Sequence, residues 1–289
     1  MKIAVLGPVC RDEVIVDTKK HIGMGGIPYY VGKALQALDV SCTLFITHAK
    51  EDKEWVKEQL AGLEIIHIFS EKTLCFQLQY SSNNPDKRVH KTKYAPNSIA
   101  PEDVVHHLEE FDYIIMGPLF YGNIDDRIFQ LLNHKKIILG NFGMFNYAEG
   151  NKMVKRNPER LISVLPHLEY LFLDEDEIKF VAQKNSIVEA IEMLKKQVMN
   201  IIVTKGSEGS ELFVDKKHFN IPAFPPNNVV DPTGAGDTYL AAFITGLEFF
   251  KDFQKIGEFA SMSATMSIEQ KGPLKASKKE IFQRLGWST

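Results

Sequence analysis

Residues 229–243 read VVDPTGAGDTYLAAF, with two carboxylates, Asp231 and Asp237, on either side of a run of small residues. Leu240, Phe243, Ile244 and Leu247 follow at i, i+3, i+4 and i+7, the spacing of one apolar helical face. That spacing places the first helical turn at about Gly236–Tyr239. The first amides of a helix have no internal partner, and the macrodipole makes that end positive. Gly234, Ala235 and Gly236 present almost no side chain, so an anion can approach the N–H groups closely. A phosphate, or another anion with developing charge, suits such a turn, and Asp237 projects from the same turn toward it. A plain loop leading into an ordinary acidic first turn accounts for the same residues.

The elements that must hold this turn are legible along the chain. KIAVLG (2–7), CTLFIT (42–47), EIIHIF (64–69), DYIIMG (112–117), KIILG (136–140), YLFL (170–173) and NIIVTKG (200–206) read as core strands. Amphipathic stretches such as 124–134, 157–166 and 187–197 lie between them. This βαβ rhythm predicts an α/β fold with a mostly parallel sheet covered by helices on both faces. Two places break it. EVIVD (13–17) is a short alternating run, and LCFQLQY (74–80) sets Leu74, Phe76, Leu78 and Tyr80 against Gln77 and Gln79. SSNNPDK (81–87) reads as a turn cluster, and RVHKTKY (88–94) returns as a polar strand. These segments predict a small antiparallel sheet beside the main one: a lid over a cleft, or a decorative hairpin.

Composition narrows the function. The 289 residues allow one large domain, 1–289, with lid segments at about 11–20 and 74–94. A net charge of −3 with acids and bases interspersed gives no footprint for nucleic acid. Cys10, Cys42 and Cys75 are scattered, without CxxC spacing, and read as reduced thiols of a cytoplasmic protein. No apolar run approaches the roughly 20 residues of a membrane span, and MKIAVLG reads as a strand rather than a signal peptide. A P-loop is absent: Gly32-Lys33 is followed by Ala34 and lacks the upstream glycine. After Gly7 the chain runs PVCRDE, so the dinucleotide fingerprint is absent too.

Taken in order, the motifs resemble the ribokinase-like, or PfkB, carbohydrate kinase family. DPTGAGD (231–237) resembles its C-terminal signature DTxGAGD, and GMGGIPYYVGKALQALDV (23–40) its N-terminal double-glycine signature. VTKGSEGS (203–210) is similar to the nucleotide-contacting strand and turn, LDEDE (173–177) to the NxxE segment associated with magnesium, and IEQKGP (268–273) to the glycine near the end. GNFGMFNYAEG (140–150) matches the mid-chain segment loosely.

The resemblance implies a ribokinase-like three-layer α/β/α sandwich with a small β-sheet lid, and an ATP-dependent kinase acting on an alcohol group of a small polyol. It implies that Gly234, Ala235 and Gly236 line an anion hole for the transferring phosphate and that Asp237 takes the proton of the substrate hydroxyl. At a helix N-terminus Asp237 is expected to stay ionised and to be a weak base, which suffices if proton removal is late in a loose transition state. Asp12, Gly25, Gly26 and Tyr30 would meet the substrate. Lys205, Gly206, Gly209 and Gly234 would border ATP. Glu177 and Asp174 would hold Mg²⁺ through water, and Asp231 would join backbone oxygens near Thr233 and Gly272 in a site for a monovalent cation such as K⁺. Ordinary alternatives stand beside these: a turn or cap for Asp12, a hairpin turn for Gly25 and Gly26, a solvated strand end for Lys205, a helix start for Glu177, and core packing with Tyr29 for Tyr30.

Departures from the pattern fall on the substrate side. Asp174 stands in place of Asn, Pro232 in place of Thr, Gly140 and Asn146 where Asp and Arg are frequent, and Tyr30 where many sugar kinases carry a sugar-contacting Asn. The expected acceptor is a sugar or cyclitol, with a nucleoside as the rival and a non-catalytic metabolite-binding protein as the rival from another class. The chain is expected to act as a monomer, or as a homodimer paired through the lid.

Overall fold

The computed structural model describes residues 1–16, 19–81, 84–94, 97–140 and 143–287. Its strands are β1 (Ile3–Pro8), β2 (Cys10–Val16), β3 (Lys19–Gly25), β4 (Cys42–Ala49), β5 (Glu64–Ser70), β6 (Leu74–Ser81), β7 (Asn84–Tyr94), β8 (Tyr113–Met116), β9 (Lys136–Gly140), β10 (Asn146–Glu149), β11 (Lys152–Lys155), β12 (Tyr170–Asp174), β13 (Asn200–Thr204), β14 (Ser210–Val214) and β15 (Lys217–Ile221). The helices are α1 (Ile27–Ala37), α2 (Lys53–Gln59), α3 (Pro101–Leu108), α4 (Arg127–Leu131), α5 (Glu159–Val164), α6 (Glu175–Ala182), α7 (Ile187–Leu194), α8 (Ala235–Phe249), α9 (Phe253–Ile268) and α10 (Lys278–Leu285).

Nine strands form the main sheet in the order β15-β14-β13-β12-β9-β8-β1-β4-β5. The run from β13 to β5 is parallel, and only β14 and β15 at one edge are antiparallel. Every residue of β1 and β4 is buried, as expected of parallel strands covered on both faces. Alternate residues of β1 feed opposite cores. Ile3 and Val5 pack with α1, α8, α9 and α10, while Ala4 and Leu6 pack with α3 to α7. The architecture is the expected three-layer α/β/α arrangement. Among the described residues no helix is long and apolar enough to cross a membrane.

The second sheet has four strands in the order β3-β2-β6-β7. It differs from the expected antiparallel lid in two respects. β2 and β6 run parallel, so the sheet is mixed, and β3 supplies a strand that KKHIGMG, with its lysines and glycines, does not announce. The expected turn at 81–87 is also shorter, because Ser81 pairs with Asn84 and β7 starts there. The hairpin of β14 and β15 was equally hidden. Its turn uses Asp215 at φ 49° and Lys216 at φ 62°, the doubly left-handed geometry of a tight hairpin, but without the usual Asn-Gly signature.

The lid is anchored at its root. Leu74 is fully buried, and Phe76 is stacked on Phe120 with ring centroids 5.7 Å apart. The apolar face expected to need a partner is therefore already satisfied there. The side chains of Leu78 and Tyr80, its outer half, lie outside the described residues. Closure over bound acceptor is accordingly expected in the outer half. Acceptor binding should slow hydrogen exchange at 84–92 several-fold and leave 74–77 nearly unchanged; equal rates at 84–92 with and without acceptor would show that the lid does not close.

Candidate active site

The sheet and lid enclose one large cavity of about 820 Å³. Strand ends supply much of its wall: Gly140 from β9, Leu173 and Asp174 from β12, Thr204 from β13. Ligand sites form at this edge of parallel sheets because crossover helices begin there and leave a crevice. α6 and α8 both start at the cavity, and Asp12 and Phe76 come down from the lid.

The turn before α8 is built as the sequence suggests, with one change. Gly234 is the N-cap at φ 78°, a left-handed conformation that favours glycine. A second reason for glycine is packing, since a Cβ there would lie 2.2 Å from Cδ1 of Tyr30. Asp231 Oδ1 accepts the Thr233 N–H at 3.0 Å, and the N–H groups of Val230 and Asp231 both reach the Ile268 carbonyl, at 2.8 and 3.2 Å. The Ala235 N–H is engaged by the Pro232 carbonyl at 3.2 Å, so it closes the turn instead of serving the expected amide trio. The N–H groups of Gly234, Gly236 and Asp237 find no acceptor among the described residues. A Cβ on Gly236 would meet nothing within 4 Å, so the space beyond it is open cavity.

Asp237 departs from expectation. Its side chain is half-buried in the wall of the cavity, and burial raises its pKa to about 7. The dipole of α8 lowers the cost of the charge but does not offset the loss of water. Asp237 is thus a stronger base than a carboxylate in water. Asp12 behaves alike: burial lifts it to about 6, opposed by the Cys10 thiol, which donates to Oδ1 at 3.4 Å. Gly25 makes room for this carboxyl, because a Cβ there would lie 2.3 Å from Asp12 Oδ2. Gly25 and Gly26 are no hairpin turn. Gly25 ends β3, and Gly26, at φ 101°, caps α1 ahead of Pro28 in its first turn.

Tyr30 combines both readings open in the sequence. It is buried and stands edge-on to Tyr29 at 5.0 Å, yet it lines the cavity and backs the Gly234 turn. A Cβ on Gly140 would lie 3.0 Å from Leu240 Cδ1, a tight contact with the end of that side chain. Near the Asp12 carboxyl, the described lining of the cavity includes Ile27, Tyr30, Phe76, Leu119 and Leu240. Of these, Ile27, Leu119 and Leu240 carried no signal beyond membership of apolar runs.

At the other end, Asp174 and Glu177 form a capping box. Asp174 Oδ1 accepts the Glu177 N–H at 2.7 Å, and Glu177 Oε2 accepts the Asp174 N–H at 2.9 Å. The helix-start reading of Glu177 is thus correct, and it leaves the carboxylates facing the cavity with Glu175 and Asp176. Burial, then the nearby Asp174 charge, raises Glu177 to about 8. Lys205 and Gly206 line the cavity, with the Lys205 ammonium 2.8 Å from Glu211. Gly209 does not reach it; at φ 93° and 2.1 Å from the Ile221 carbonyl by its missing Cβ, it serves the β13–β14 turn. Asp231 closes its loop just outside the lining.

The model of the pfkB family carbohydrate kinases matches residues 62–280. An inositol 3-kinase from Zea mays is 33% identical over 293 residues, covering 91% of this chain and 72% of that protein. A nucleoside kinase from Methanocaldococcus jannaschii is 32% identical over 129 residues, but the match covers only 45% of this chain and 42% of that relative's own length. Among solved structures, a pyrophosphate-dependent kinase in the ribokinase family, complexed with a pyrophosphate analog and myo-inositol, superimposes with a TM-score of 0.84 at 22% identity, over 97% of this chain and 99% of that one.

Two variants separate ligand approach from folding at the turn. Gly236→Val should keep a melting temperature near wild type, since its side chain meets only cavity, and lose roughly a hundred-fold or more in turnover by blocking the amides. Gly234→Ala should lower the melting temperature, because both φ and Tyr30 forbid a Cβ. Equal melting temperatures and normal activity in Gly236→Val would mean that no anion sits there.

Asp237 yields a signed stability prediction. Its carboxyl has a higher pKa folded than unfolded, so the folded state bears a penalty above about pH 7 that is absent below about pH 4. Three units at roughly 1.4 kcal/mol each set an upper bound of about 4 kcal/mol. Asp237→Asn should therefore raise the melting temperature at pH 8, with the gain fading as pH falls toward 4, while turnover falls on the order of 10²–10⁴-fold. A melting temperature unchanged at pH 8 would show that Asp237 is not desolvated.

Proposed function

The chain belongs to the pfkB family of carbohydrate kinases, and from that premise we propose that it transfers a phosphoryl group from ATP to a hydroxyl of a small polyol that carries an apolar face. The observation that carries this reading is Asp237, a desolvated carboxyl poised near neutral pH beside N–H groups without protein partners, at the mouth of open space. Phosphoryl transfer needs little more from a protein than positioning and stabilisation of charge on the equatorial oxygens. The acceptor hydroxyl lies against Asp237, which takes its proton as the bond to phosphorus forms. The free amides of Gly234, Gly236 and Asp237 face the oxygens of the group in transit. Asp12 accepts a hydrogen bond from another hydroxyl of the acceptor.

The cavity suits magnesium by the chemistry of its donors. Asp174, Glu175, Asp176 and Glu177 offer hard oxygen ligands, and among the described residues no cluster of three or more acidic, His or Cys groups could hold a metal alone. Magnesium there would neutralise phosphate charge while keeping water and donor oxygens as most of its ligands. Asp174 and Glu177, fixed by their capping box, would hold its hydration shell.

The acceptor wall favours a substrate bound partly by stacking. Tyr30 and Phe76 contribute aromatic surface to the lining beside the Asp12 carboxyl. A cyclitol with an axial-hydrogen face fits this, and so does a nucleoside. Pyrophosphate is a second reading for the donor. The described lining of the donor end stops at Thr204–Gly206 and Pro232–Gly234 and includes no residue from 222–230, leaving little wall for a base.

A screen of cyclitols, sugars and nucleosides, with ATP and with pyrophosphate as donors, tests the reading. Phosphorylated acceptor should appear with ATP for a cyclitol or nucleoside, and weakly for ribose. Tyr30→Asn should change the ranking of kcat/KM among acceptors. No phosphorylated product with either donor would overturn the kinase reading, and an unchanged ranking with a lowered melting temperature would make Tyr30 structural only.

A further inference from the structure

The end of α6 remote from the catalytic cavity borders a second pocket of about 540 Å³, closed on the other side by the chain that follows β11. Lys155, Arg156, Lys179 and Lys184 line it, with the amide of Asn157 and the ring of Phe180, and no carboxylate is among its lining residues. Two of the four cations have acidic partners outside the lining: Arg156 pairs with Glu149, and Lys179 with Glu175 at 2.5 Å. The other two make no direct ion pair among the described residues, although Lys155 lies near enough to Glu177 to favour its ionised form. The Lys155 ammonium lies over the rings of Phe145 and Phe180, at 5.3 and 5.9 Å, and Lys184 is exposed without an ion pair. Glu159 also stands beside the pocket, accepting from the Gln183 side-chain amide at 3.4 Å, so four cations meet three neighbouring carboxylates here on a chain whose net charge is −3.

Cations at a helix C-terminus have an ordinary explanation, since they bond the last carbonyls and oppose the dipole. Here two of the last carbonyls, those of Lys179 and Phe180, are already satisfied by the chain itself. Gln183, left-handed at φ 52°, turns the chain so that its own N–H reaches the Phe180 carbonyl at 3.1 Å and the Lys184 N–H reaches the Lys179 carbonyl at 3.0 Å. The remaining dipole is equivalent to about half a charge, too little to balance the fourth cation.

We propose that this pocket binds a phosphate-bearing small molecule at a site separate from donor and acceptor. Ammonium groups serve phosphate as point charges, the side-chain amides add neutral donors, and the Phe180 face takes the apolar part of the ligand. The volume fits one small molecule rather than a polymer. α6 is a single helix with the pocket at one end and Asp174–Glu177 in the catalytic cavity at the other, so an occupant lies one short rigid element from the donor site. The proposal concerns binding alone and does not depend on the kinase reading.

Calorimetric titration with inorganic phosphate tests it. Lys155→Gln/Lys184→Gln should remove a phosphate site from the wild-type isotherm, weakening it about ten-fold or more. Any phosphate held at the α8 turn should persist in that variant and disappear in Gly236→Val, so the two sites are told apart. Lys216→Gln/Lys217→Gln, exposed in the β14–β15 turn, removes the same charge elsewhere and should leave the pocket's affinity unchanged. All substituted lysines are exposed, and unchanged melting temperatures would confirm intact folds. An isotherm unaltered by Lys155→Gln/Lys184→Gln, or equal weakening in both double variants, would overturn the proposal.

Discussion

The structure turns on holding the first turn of α8 open to the cavity with the Asp237 carboxyl only partly exposed beside it. An N-terminal turn with free amides is costly to place beside a half-buried carboxyl unless both face the same cavity. Several elements enforce that placement. The apolar face of α8, from Leu240 to Ile244, is fully packed, so the helix cannot rotate. Val230 and Asp231 are tied to the end of α9 through the Ile268 carbonyl, which fixes the loop that enters the turn. Tyr30, from α1, occupies the space where Gly234 would carry a side chain. The double-glycine segment and the GAGD turn, two hundred residues apart in the chain, are thereby one packed unit.

The smaller sheet adds Asp12 and Phe76 to the cavity wall and is held to the body by charge as well as by packing. Arg11, on β2, pairs with Asp52 and lies 4.5 Å over the Trp55 ring, while Thr73, just before β6, donates to the same Asp52. Both strands that bring residues to the cavity are thus fixed at one buried carboxylate. Thr73 in turn accepts the Ala49 N–H at the end of β4, joining this root to the main sheet. Asp12 and Phe76 are thereby carried on strands whose roots are tied to the main sheet.

Much of this was legible because it follows from period and side-chain volume. The parallel core announced itself as apolar runs, and the start of α8 fell where the 3.6-residue pattern put it. What stayed hidden was set by tertiary contact. β3 contains two lysines and two glycines and is a strand only because β2 offers an edge. The tight approach of Gly140 to Leu240, a hundred residues away, and that of Gly209 to the Ile221 carbonyl are of this kind. The protonation of Asp237 was misjudged for the same reason: helix position is visible in sequence, but the loss of water depends on everything packed around the turn.

Under the proposed reading, the charges in the cavity bear on how an acidic site would receive an anionic donor. Among the described lining residues, Asp12, Asp174, Glu175, Asp176, Glu177 and Asp237 stand against one cation, Lys205, which is already shared with Glu211, while Glu175 is paired with Lys179 outside the lining. A polyphosphate entering unaccompanied would meet a field of its own sign, which a few amides at a helix end do not reverse. Two features ease that conflict. Desolvation has raised Asp12, Glu177 and Asp237 to about 6, 8 and 7, so part of the negative charge is replaced by protons near neutral pH. The acids at the start of α6 also stand on a different element from Asp12 and Asp237, so under the proposed reading a cation carried by the donor would meet the former, and the ionised fraction of Asp237 would remain to take a proton.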